Sequence, residues 1–319
     1  MNEMQSQLDL PKLNHPWLVA VWPGMGNVAL SAGFYLMAKL GMHLLAEFSP
    51  RELFDVDHIE VKDGLIRMGQ MPRSRLFVWK DPEEKRDIVI FIGEAQPPLG
   101  KYAFCSKLIE FSRQIGVERV FTFAAMATQM HPEHPSRVFA AATDAETLKE
   151  LNKFDLEPLE DGHVGGLNGL LLGTAAEAGL HGACLLGEMP HIFAQLPFPK
   201  ASLAVLDRFS DIASIKVDLT ELSEQADAMN ERLGELLAKV ESAMQQQAGP
   251  EHEDDEEEPY GAQPVEEPRL SSADEQEIER LFEKAAQDRS KAYELKQKLD
   301  QLEVFKEYED RFLDLFKNA

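Results

Sequence analysis

Short apolar runs alternate with stretches of helical periodicity through the first two-thirds of the chain. The runs WLVAVW, HLLAEF, RLFVWK, DIVIFIG, RVFTFAA, RVFAAAT and GACLLGEM have the length and the β-branched or aromatic content of buried strands. HIEVKDGLIRM predicts a hairpin that turns at Lys62–Asp63–Gly64, because Asp-Gly favours the turns that hairpins require. Asp144 is placed to cap a helix that begins at Ala145. The alternation predicts a three-layer α/β/α domain with a mixed sheet.

The pattern changes after about Ile215, where apolar residues repeat at spacings of three and four. This seam consists of Leu219, Leu222, Ala226, Met229, Leu233, Leu236, Val240 and Ala243. It is typical of a helix that either docks on its own domain or pairs with another helix, and docking is the preferred interpretation. We therefore assign residues 14–247 to one α/β domain that ends in this helix.

Residues 248–271 contain proline, glycine and a run of carboxylates with almost no apolar side chains. Such a segment buries too little surface to offset its ordering entropy, which predicts an acidic disordered linker. Ser272, with Glu275 three residues later, is placed to cap the next helix.

Residues 272–319 then predict an amphipathic, coiled-coil helix as a C-terminal extension of the domain. Its apolar stripe is expected to bind a partner through Ile278, Leu281, Leu295, Leu299 and Leu302. Asp288 stands at a core position and would weaken a self-paired coil. Beyond Leu302 the apolar phase shifts, which indicates a bend or a change of partner. We expect a tethered element outside the α/β core that binds a foreign partner or folds back.

The segment VWPGMGNVALSAG places a Gly-x-Gly turn between a strand and a helix. A P-loop is excluded because no Lys-Ser or Lys-Thr follows the glycines. Gly24, Gly26 and Ala29 fit the G-x-G-x-x-A dinucleotide pattern, with Glu47 as a possible ribose-binding acid. Because Met25 is bulky and a hairpin follows the second strand, a tight structural turn is the preferred interpretation.

Two further glycine segments, GEAQPP and GGLNGLLLG, follow predicted strands or begin predicted helices. Such junctions gather at one edge of an α/β sheet, so we expect the three segments to meet there. A ligand site at this edge would use Gly24, Met25, Gly26, Asn27, Gly93, Glu94, Gln96, Gly165, Gly166 and Asn168. Phosphate would bind weakly, through backbone N–H groups at the helix start. The alternative roles are structural: Asn27 would cap its own helix, while Glu94 and Gln96 would satisfy the Pro-Pro loop.

In this order, GMGNV, GEAQPP and GGLNGLLLG resemble the proteasome assembly chaperone 2 family, together with LLGEMPHI and FPKASLAVLDRF. The resemblance covers residues of about 16–240 and implies a nucleoside-phosphorylase-like α/β/α fold with self- or cross-association. In eukaryotes a member of the family helps to build proteasome rings. Some archaeal relatives end in a hydrophobic–Tyr–any tripeptide that docks on proteasomes. This chain ends in Lys317–Asn318–Ala319, so docking by that mode is not expected.

Charge and composition narrow the classes of partner that the chain is expected to bind. The net charge is −24, and 31 of the 56 acidic residues lie in 201–319. A nucleic-acid partner is not expected, because phosphate contacts need clustered Lys and Arg. The most apolar long stretch is interrupted by glycines and contains Glu177 and His181, so no membrane span is expected. Cys105 and Cys184 lie in apolar segments, which indicates reduced buried thiols in a cytoplasmic protein.

His131 and His134 flank Glu133 with a spacing that could bind a metal, but two prolines and the lack of nearby ligands favour a polar loop. No metal, cofactor or catalytic residue is assigned. The preferred function is a non-enzymatic assembly or scaffold protein that binds protein partners, with a homo-oligomer as one option. The alternative is an enzyme or binder of a small phosphorylated or nucleoside-like ligand at the glycine-turn edge.

Overall fold

A computed structural model of the protein describes residues 11–48, 53–54, 59–62, 64–68, 71–247 and 270–317. Within these residues eight strands form one sheet in the order β2-β5-β6-β1-β7-β10-β8-β9. The strands are β1 Trp17–Val21, β2 His43–Phe48, β5 Ser74–Trp79, β6 Ile88–Gly93, β7 Arg119–Thr128, β8 Val138–Ala142, β9 Glu157–Pro158 and β10 His181–Pro190. Strands β3 Ile59–Lys62 and β4 Leu65–Met68 form a separate antiparallel hairpin.

The centre of the sheet is parallel and its flanks are antiparallel. Strands β6, β1, β7 and β10 run in one direction, while β5 and β8 run against their central neighbours. The mixed sheet predicted from the hairpin and the strand–helix alternation is therefore confirmed. Each predicted apolar run corresponds to a strand, and Asp144 caps the following helix by accepting the Thr147 N–H at 2.8 Å.

Helices cover both faces of the sheet, as expected for an α/β/α sandwich. The helices are α1 Val28–Lys39, α2 Lys101–Gln114, α3 Ala145–Leu151, α4 Gly166–Glu177, α5 Pro199–Ala213 and α6 Thr220–Gln247, followed by α7 Ser272–Gln287, α8 Ala292–Gln301 and α9 Phe305–Asp314. On the first face, one hydrophobic core lies between the sheet and helices α2 and α4. The other core joins α1, α5, the start of α6 and α7–α9 to the second face.

Helix α6 docks on the domain rather than standing free. Leu222, Ala226 and Leu233 of its seam are buried, and the Tyr35 hydroxyl donates a hydrogen bond to the Asp218 carbonyl just before the helix. Leu236 is exposed near the end of the described side chains. The preferred interpretation of the seam, docking on the domain, is confirmed for the residues whose side chains are described.

The C-terminal extension differs from its prediction in two respects. Residues 272–317 form three helices rather than one, with breaks at Asp288 and around residues 302–304. Asp288 is not in a coiled-coil core: its carboxylate accepts the Ser290 N–H and caps a short 3-10 turn. Short acidic side chains compete for nearby backbone N–H groups, which favours a helix end over a continuous helix. Of the two interpretations of the phase shift beyond Leu302, a bend or a change of partner, the structure has a bend.

The stripe predicted to bind a partner is covered by the chain's own domain. Ile278, Leu281, Leu295 and Leu299 are buried in the second core, and Leu302 packs against it, so their partner is the chain's own domain. Of the arrangements left open by the sequence, the structure has the back-folded one. An apolar stripe of this length must be covered, and α1 with β5 supplies an uncovered surface inside the same chain.

The helix cap after the linker lies one residue earlier than predicted. Ser271, not Ser272, is the N-cap of α7, and its hydroxyl accepts the Asp274 N–H at 3.1 Å. Residues 248–269 of the predicted linker lie outside the described residues, so the linker stays a prediction. Cys105 and Cys184 are free and buried, and burial raises the pKa of each thiol to about 12.

Candidate functional site: the carboxyl edge of the sheet

The connections that leave the central parallel strands all begin at one edge of the sheet. Because β6, β1, β7 and β10 are parallel, residues 22–27, 94–100, 129–137 and 191–198 follow their carboxyl ends. Strand β2 ends and β5 begins at the same edge, since Phe48 pairs with Ser74 and Ser74 pairs with Gly93. The connection with the hairpin β3–β4 therefore also starts and returns here. We call this surface the carboxyl edge.

The first glycine segment is a structural turn between two strand–helix connections. Gly26 has a left-handed φ of 61°, donates its N–H to the Ala194 carbonyl and accepts the Phe198 N–H, both at 2.9 Å. A Cβ at this position would lie 2.8 Å from the Met189 sulfur. Glycine is therefore required by both conformation and space. The expectation that Asn27 caps helix α1 is wrong: its side chain makes no capping bond, and its backbone is left-handed with φ 51°.

The other two glycine segments meet directly. The Gln96 side-chain oxygen accepts the Leu167 N–H at 3.3 Å, at the start of α4. Gly93 lies against the Trp22 indole, which a Cβ would approach to 2.5 Å. The predicted gathering of the three segments at one edge is confirmed. Gly26 contacts residues of the α1/α5 face, whereas Gln96 and Trp22 belong to the α2/α4 face. Whether these residues bind a ligand stays a prediction.

Glu94 joins two segments that are remote in sequence, instead of satisfying its own loop. Its carboxylate accepts the Arg73 N–H at 2.9 Å and a hydrogen bond from Arg75 Nη1 at 3.2 Å. In return the Glu94 N–H donates to the Arg73 carbonyl at 3.0 Å. Burial raises the pKa of Glu94, and the nearby Glu309 carboxylate adds to this rise against the opposing Arg73 N–H, Lys306 and Arg75.

Helix α9 completes this cluster from the C-terminal extension. Arg75 is 1% exposed, and its Nη2 donates to the Asp310 carboxylate. Arg73 Nη1 donates to the same oxygen at 3.3 Å, and Lys306 Nζ lies 3.8 Å from Glu94. Burial alone would raise the pKa of Asp310, but the hydrogen bond from Arg75 and the charges of Arg75, Arg73 and Lys317 together outweigh it, so the pKa is lowered. Strand alternation could have indicated that Arg75 faces inward with Phe77; its partner 235 residues away gives no local signal.

A second ion pair, between the buried Glu188 and the half-exposed Arg137, lies at the other end of the same edge. Glu188 near the end of β10 is buried and accepts hydrogen bonds from Arg137 at 2.6 and 2.7 Å and from the Thr128 hydroxyl at 2.8 Å. The hydrogen bond from Arg137 is the main cause that lowers the pKa of Glu188. These bonds link the ends of β7 and β10 to the start of β8.

The loop with His131 and His134 is held by Lys200 at the start of α5. Lys200 Nζ donates to the Pro132 and His134 carbonyls and to the Asn230 side chain. Burial lowers the pKa of Lys200. Both imidazoles are exposed, and no group of three potential metal ligands occurs among the described residues.

A cavity of about 900 Å³ lies beside this loop, between β8, α5 and the start of α6. Its charged lining includes Arg137, Lys200, Arg208 and Glu157, while Val138, Leu203, Ala204 and Leu219 supply apolar wall. None of the residues predicted for ligand binding lines this cavity. This cavity is therefore separate from the glycine segments.

Exposed apolar side chains are concentrated at the carboxyl edge. Among the described residues, the large apolar side chains with substantial exposure at this edge are Met25, Ile59, Val61, Leu65, Ile66, Met71, Leu99, Tyr102, Ile192 and Leu196. Leu236 on α6 is the exception away from it. Leu99 and Ile66 are 76% and 73% exposed. We call this set the apolar edge; clustered exposed apolar residues commonly mark interaction sites.

The hairpin makes the largest contribution to the apolar edge. Ile59 pairs with Met68 and Val61 pairs with Ile66 in the backbone ladder. Alternation places Ile59, Val61 and Ile66, which are all exposed, on one face of the hairpin. A two-stranded hairpin is marginally stable alone, and an exposed apolar face on it is expected to pack against another surface.

No helix with the length and apolar content to cross a bilayer occurs in the described part of the chain.

Comparisons with known proteins agree with this architecture. The sequence matches the PAC2 family over residues 18–237. An uncharacterized protein of Methanocaldococcus jannaschii, MJ1210, is 29% identical over 259 residues, which cover 77% of this chain and 93% of the relative. The C-terminal extension lies beyond the family match.

Solved structures with the same fold include a proteasome activator and a homologue of a proteasome-assembly chaperone. PbaB of Pyrococcus furiosus, an archaeal proteasome activator, has a TM-score of 0.59 and 26% identity, covering 72% of this chain and 95% of its own. The proteasome-assembly chaperone homologue Rv2125 of Mycobacterium tuberculosis has a TM-score of 0.60 and 25% identity, covering 69% and 94%. The α/β/α sandwich, the ordered glycine segments and the family match together show that the chain belongs to the PAC2 family.

Proposed function

We propose that the protein is a non-enzymatic assembly or scaffold factor that binds protein partners through the apolar edge. The observation that supports this most directly is the position of the exposed apolar side chains. These residues belong to connections that begin or return at the carboxyl ends of the central strands, and Leu99, Ile66 and Ile192 are exposed. Exposed apolar residues grouped on one surface commonly mark sites of protein–protein interaction.

Similarity supplies the first class of partner to test. PbaB is described as a proteasome activator and Rv2125 as a proteasome-assembly chaperone homologue. Proteasome subunits of the same organism are therefore the first candidates. Binding through the apolar edge would not need a C-terminal docking tripeptide.

Site-specific photo-crosslinking in cells tests the proposal. A photoreactive amino acid is placed at Leu99 or Ile66, and at Leu236 as a control that is exposed but lies on α6. The expected result is a discrete protein adduct from the two edge positions and not from the control. Products that are the same at all three positions, or none from the edge, would contradict the proposal.

A matched substitution then tests whether the surface is required. Leu99→Ser combined with Ile66→Ser is expected to abolish co-purification of the crosslinked partner, whereas Leu236→Ser is expected to retain it. All three positions are exposed, so replacing them should change the stability of the domain by less than about 0.5 kcal/mol. Retained binding in the double variant would exclude the apolar edge as the docking surface.

A small-ligand function at the glycine segments is the second candidate, and one specific observation favours it. The Trp22 Nε1 atom and the Asn168 Oδ1 atom are buried without a hydrogen-bond partner among the described residues. Both belong to the α2/α4 side of the carboxyl edge, and α4 begins there without a side-chain cap. A ligand with both an acceptor and a donor would satisfy them. Calorimetry with nucleosides and inorganic phosphate tests this, and silence at millimolar concentration would exclude it.

A further inference from the structure

Helix α9 contacts the carboxyl edge at the point where two parts of the apolar edge are anchored. Arg73 closes the connection that contains the hairpin, two residues after the exposed Met71. Glu94 opens the loop that leads to the exposed Leu99. Arg73 and Glu94 are joined by two hydrogen bonds through their backbone groups and the Glu94 carboxylate, of 2.9 and 3.0 Å. Movement at this junction would therefore displace both parts of the surface.

Charge balance at the junction depends on the C-terminal extension. Arg75 is buried and donates to Glu94 within the domain, and its Nε has no hydrogen-bond partner among the described residues. Glu47 is the other domain carboxylate near it, at 3.8 Å. Asp310 supplies a direct acceptor to Arg75 and also binds Arg73. Removing one partner of a buried charge leaves that charge incompletely compensated, which strongly weakens the local structure.

The remaining groups of α9 at this junction do not replace Asp310. Lys306 approaches Glu94 at 3.8 Å but is mainly paired with Glu309 at 2.6 Å. Lys306 and Glu309 therefore largely neutralise each other. Asp310 is the residue of α9 that bridges two arginines of the domain.

We propose that the C-terminal extension controls the apolar edge through Asp310, a positioning residue that holds the Arg73–Arg75–Glu94 junction and with it the hairpin connection and the Leu99 loop. The inference rests on the proposed function, because it assigns the regulation of the same docking surface. A change that lifts α9, such as binding of another molecule to the extension, would release both segments together and lower affinity for the partner.

Hydrogen exchange of the full chain tests the inference without a partner. In Asp310→Asn, peptides that cover residues 65–74 and 94–102 are expected to exchange about tenfold faster, because a hydrogen-bonded charge is lost at their anchor. Asp310→Glu keeps the carboxylate and is expected to retain most of the protection. Asp314→Asn is the matched control, since Asp314 lies on the same helix and pairs with Lys317.

The outcomes separate this inference from the proposed function. Unchanged exchange in the two segments, or faster exchange spread evenly over the sheet, would overturn the positioning role and leave the docking surface untouched. The crosslinking at Leu99 and Ile66 is then repeated in Asp310→Asn, where adduct yield is expected to fall at least about fivefold while the Asp314→Asn yield is kept. Faster local exchange with full adduct yield would overturn regulation of the surface by Asp310.

Discussion

The two faces of the sheet are closed in different ways. On the α2/α4 face, all the described members of the core lie between residues 13 and 186, largely within the segment that matches the PAC2 family. On the α1/α5 face, the core also requires α7–α9 from residues 270–317, beyond that match. One face is thus completed by the family domain alone, whereas the other is completed by the extension.

The contacts show what the extension covers. Phe34 of α1 packs edge-on against Phe305 and Phe312, and Phe77 of β5 packs against Phe316. The Phe316 carbonyl accepts the Leu44 N–H at 2.7 Å, which satisfies part of the edge strand β2. An element that fills a core and protects a sheet edge is a structural part of the domain, even though it follows the predicted linker.

Removing the extension should have the largest effect. A chain that ends at Gln247 would expose Phe34, Tyr35 and Phe77, and would lose the burial of many apolar side chains at roughly 1.5–3 kcal/mol each. This exceeds the net stability of about 5–15 kcal/mol that domains usually have. We expect aggregation or a molten state by size-exclusion chromatography and near-UV circular dichroism. A soluble truncated chain with an unchanged melting temperature would contradict the comparison.

Paired cavity substitutions compare the two faces directly. Phe312→Ala on the extension and Phe104→Ala on α2 both remove a fully buried ring. Each is expected to lower the free energy of unfolding by about 3–5 kcal/mol, as measured by urea denaturation. If both faces belong to one cooperative unit, each variant should unfold in a single transition. The dependence of its unfolding free energy on urea concentration should then be unchanged. A separate early transition in Phe312→Ala alone would show that the extension unfolds independently.

The ion pair between Glu188 and Arg137 gives a smaller effect on stability, and this effect depends on pH. Strand alternation places Glu188 on the α2/α4 face, where Arg137 lowers its pKa below the usual 4.5. A lowered pKa contributes stability above the unfolded value, and this contribution is lost as the pH falls through the folded value. Glu188→Gln should therefore lower the free energy of unfolding by about 2 kcal/mol at pH 7. The difference in this free energy between the variant and the parent should shrink below about pH 4. A constant difference from pH 7 to pH 3.5 in urea denaturation would contradict it.

The glycine turn should give effects of a size similar to that of Glu188→Gln or smaller. Gly26→Ala puts an alanine into a left-handed backbone conformation and brings its Cβ too close to Met189 on the α1/α5 face. The substitution is therefore expected to lower the free energy of unfolding by about 1–3 kcal/mol. Gly24→Ala is the matched control, because no atom lies within 4 Å of a Cβ there and the φ is extended. Its change should stay within about 0.5 kcal/mol by thermal or urea denaturation. Equal effects would show that the turn is not fixed by its contacts.

Local signals in the sequence determined much of the fold. Apolar runs predicted the strands, Asp144 predicted the start of α3, and the hairpin residues predicted β3 and β4, because each depends on periodicity or turn chemistry within a few residues. The ordered glycine segments predicted the family and the common edge. Each of these features is set by neighbours in the chain, where sequence patterns are most informative.

Long-range contacts decided the rest. The stripe from Ile278 to Leu299 showed that an apolar face must be covered, but periodicity does not say by what; α1 and β5 cover it only because the sheet leaves that surface free. Asp288 fits a heptad position in sequence, yet it ends a helix by binding a local N–H. Arg75 and Asp310 are 235 residues apart, so their pairing follows from tertiary packing and from the cost of burying a charge without a partner.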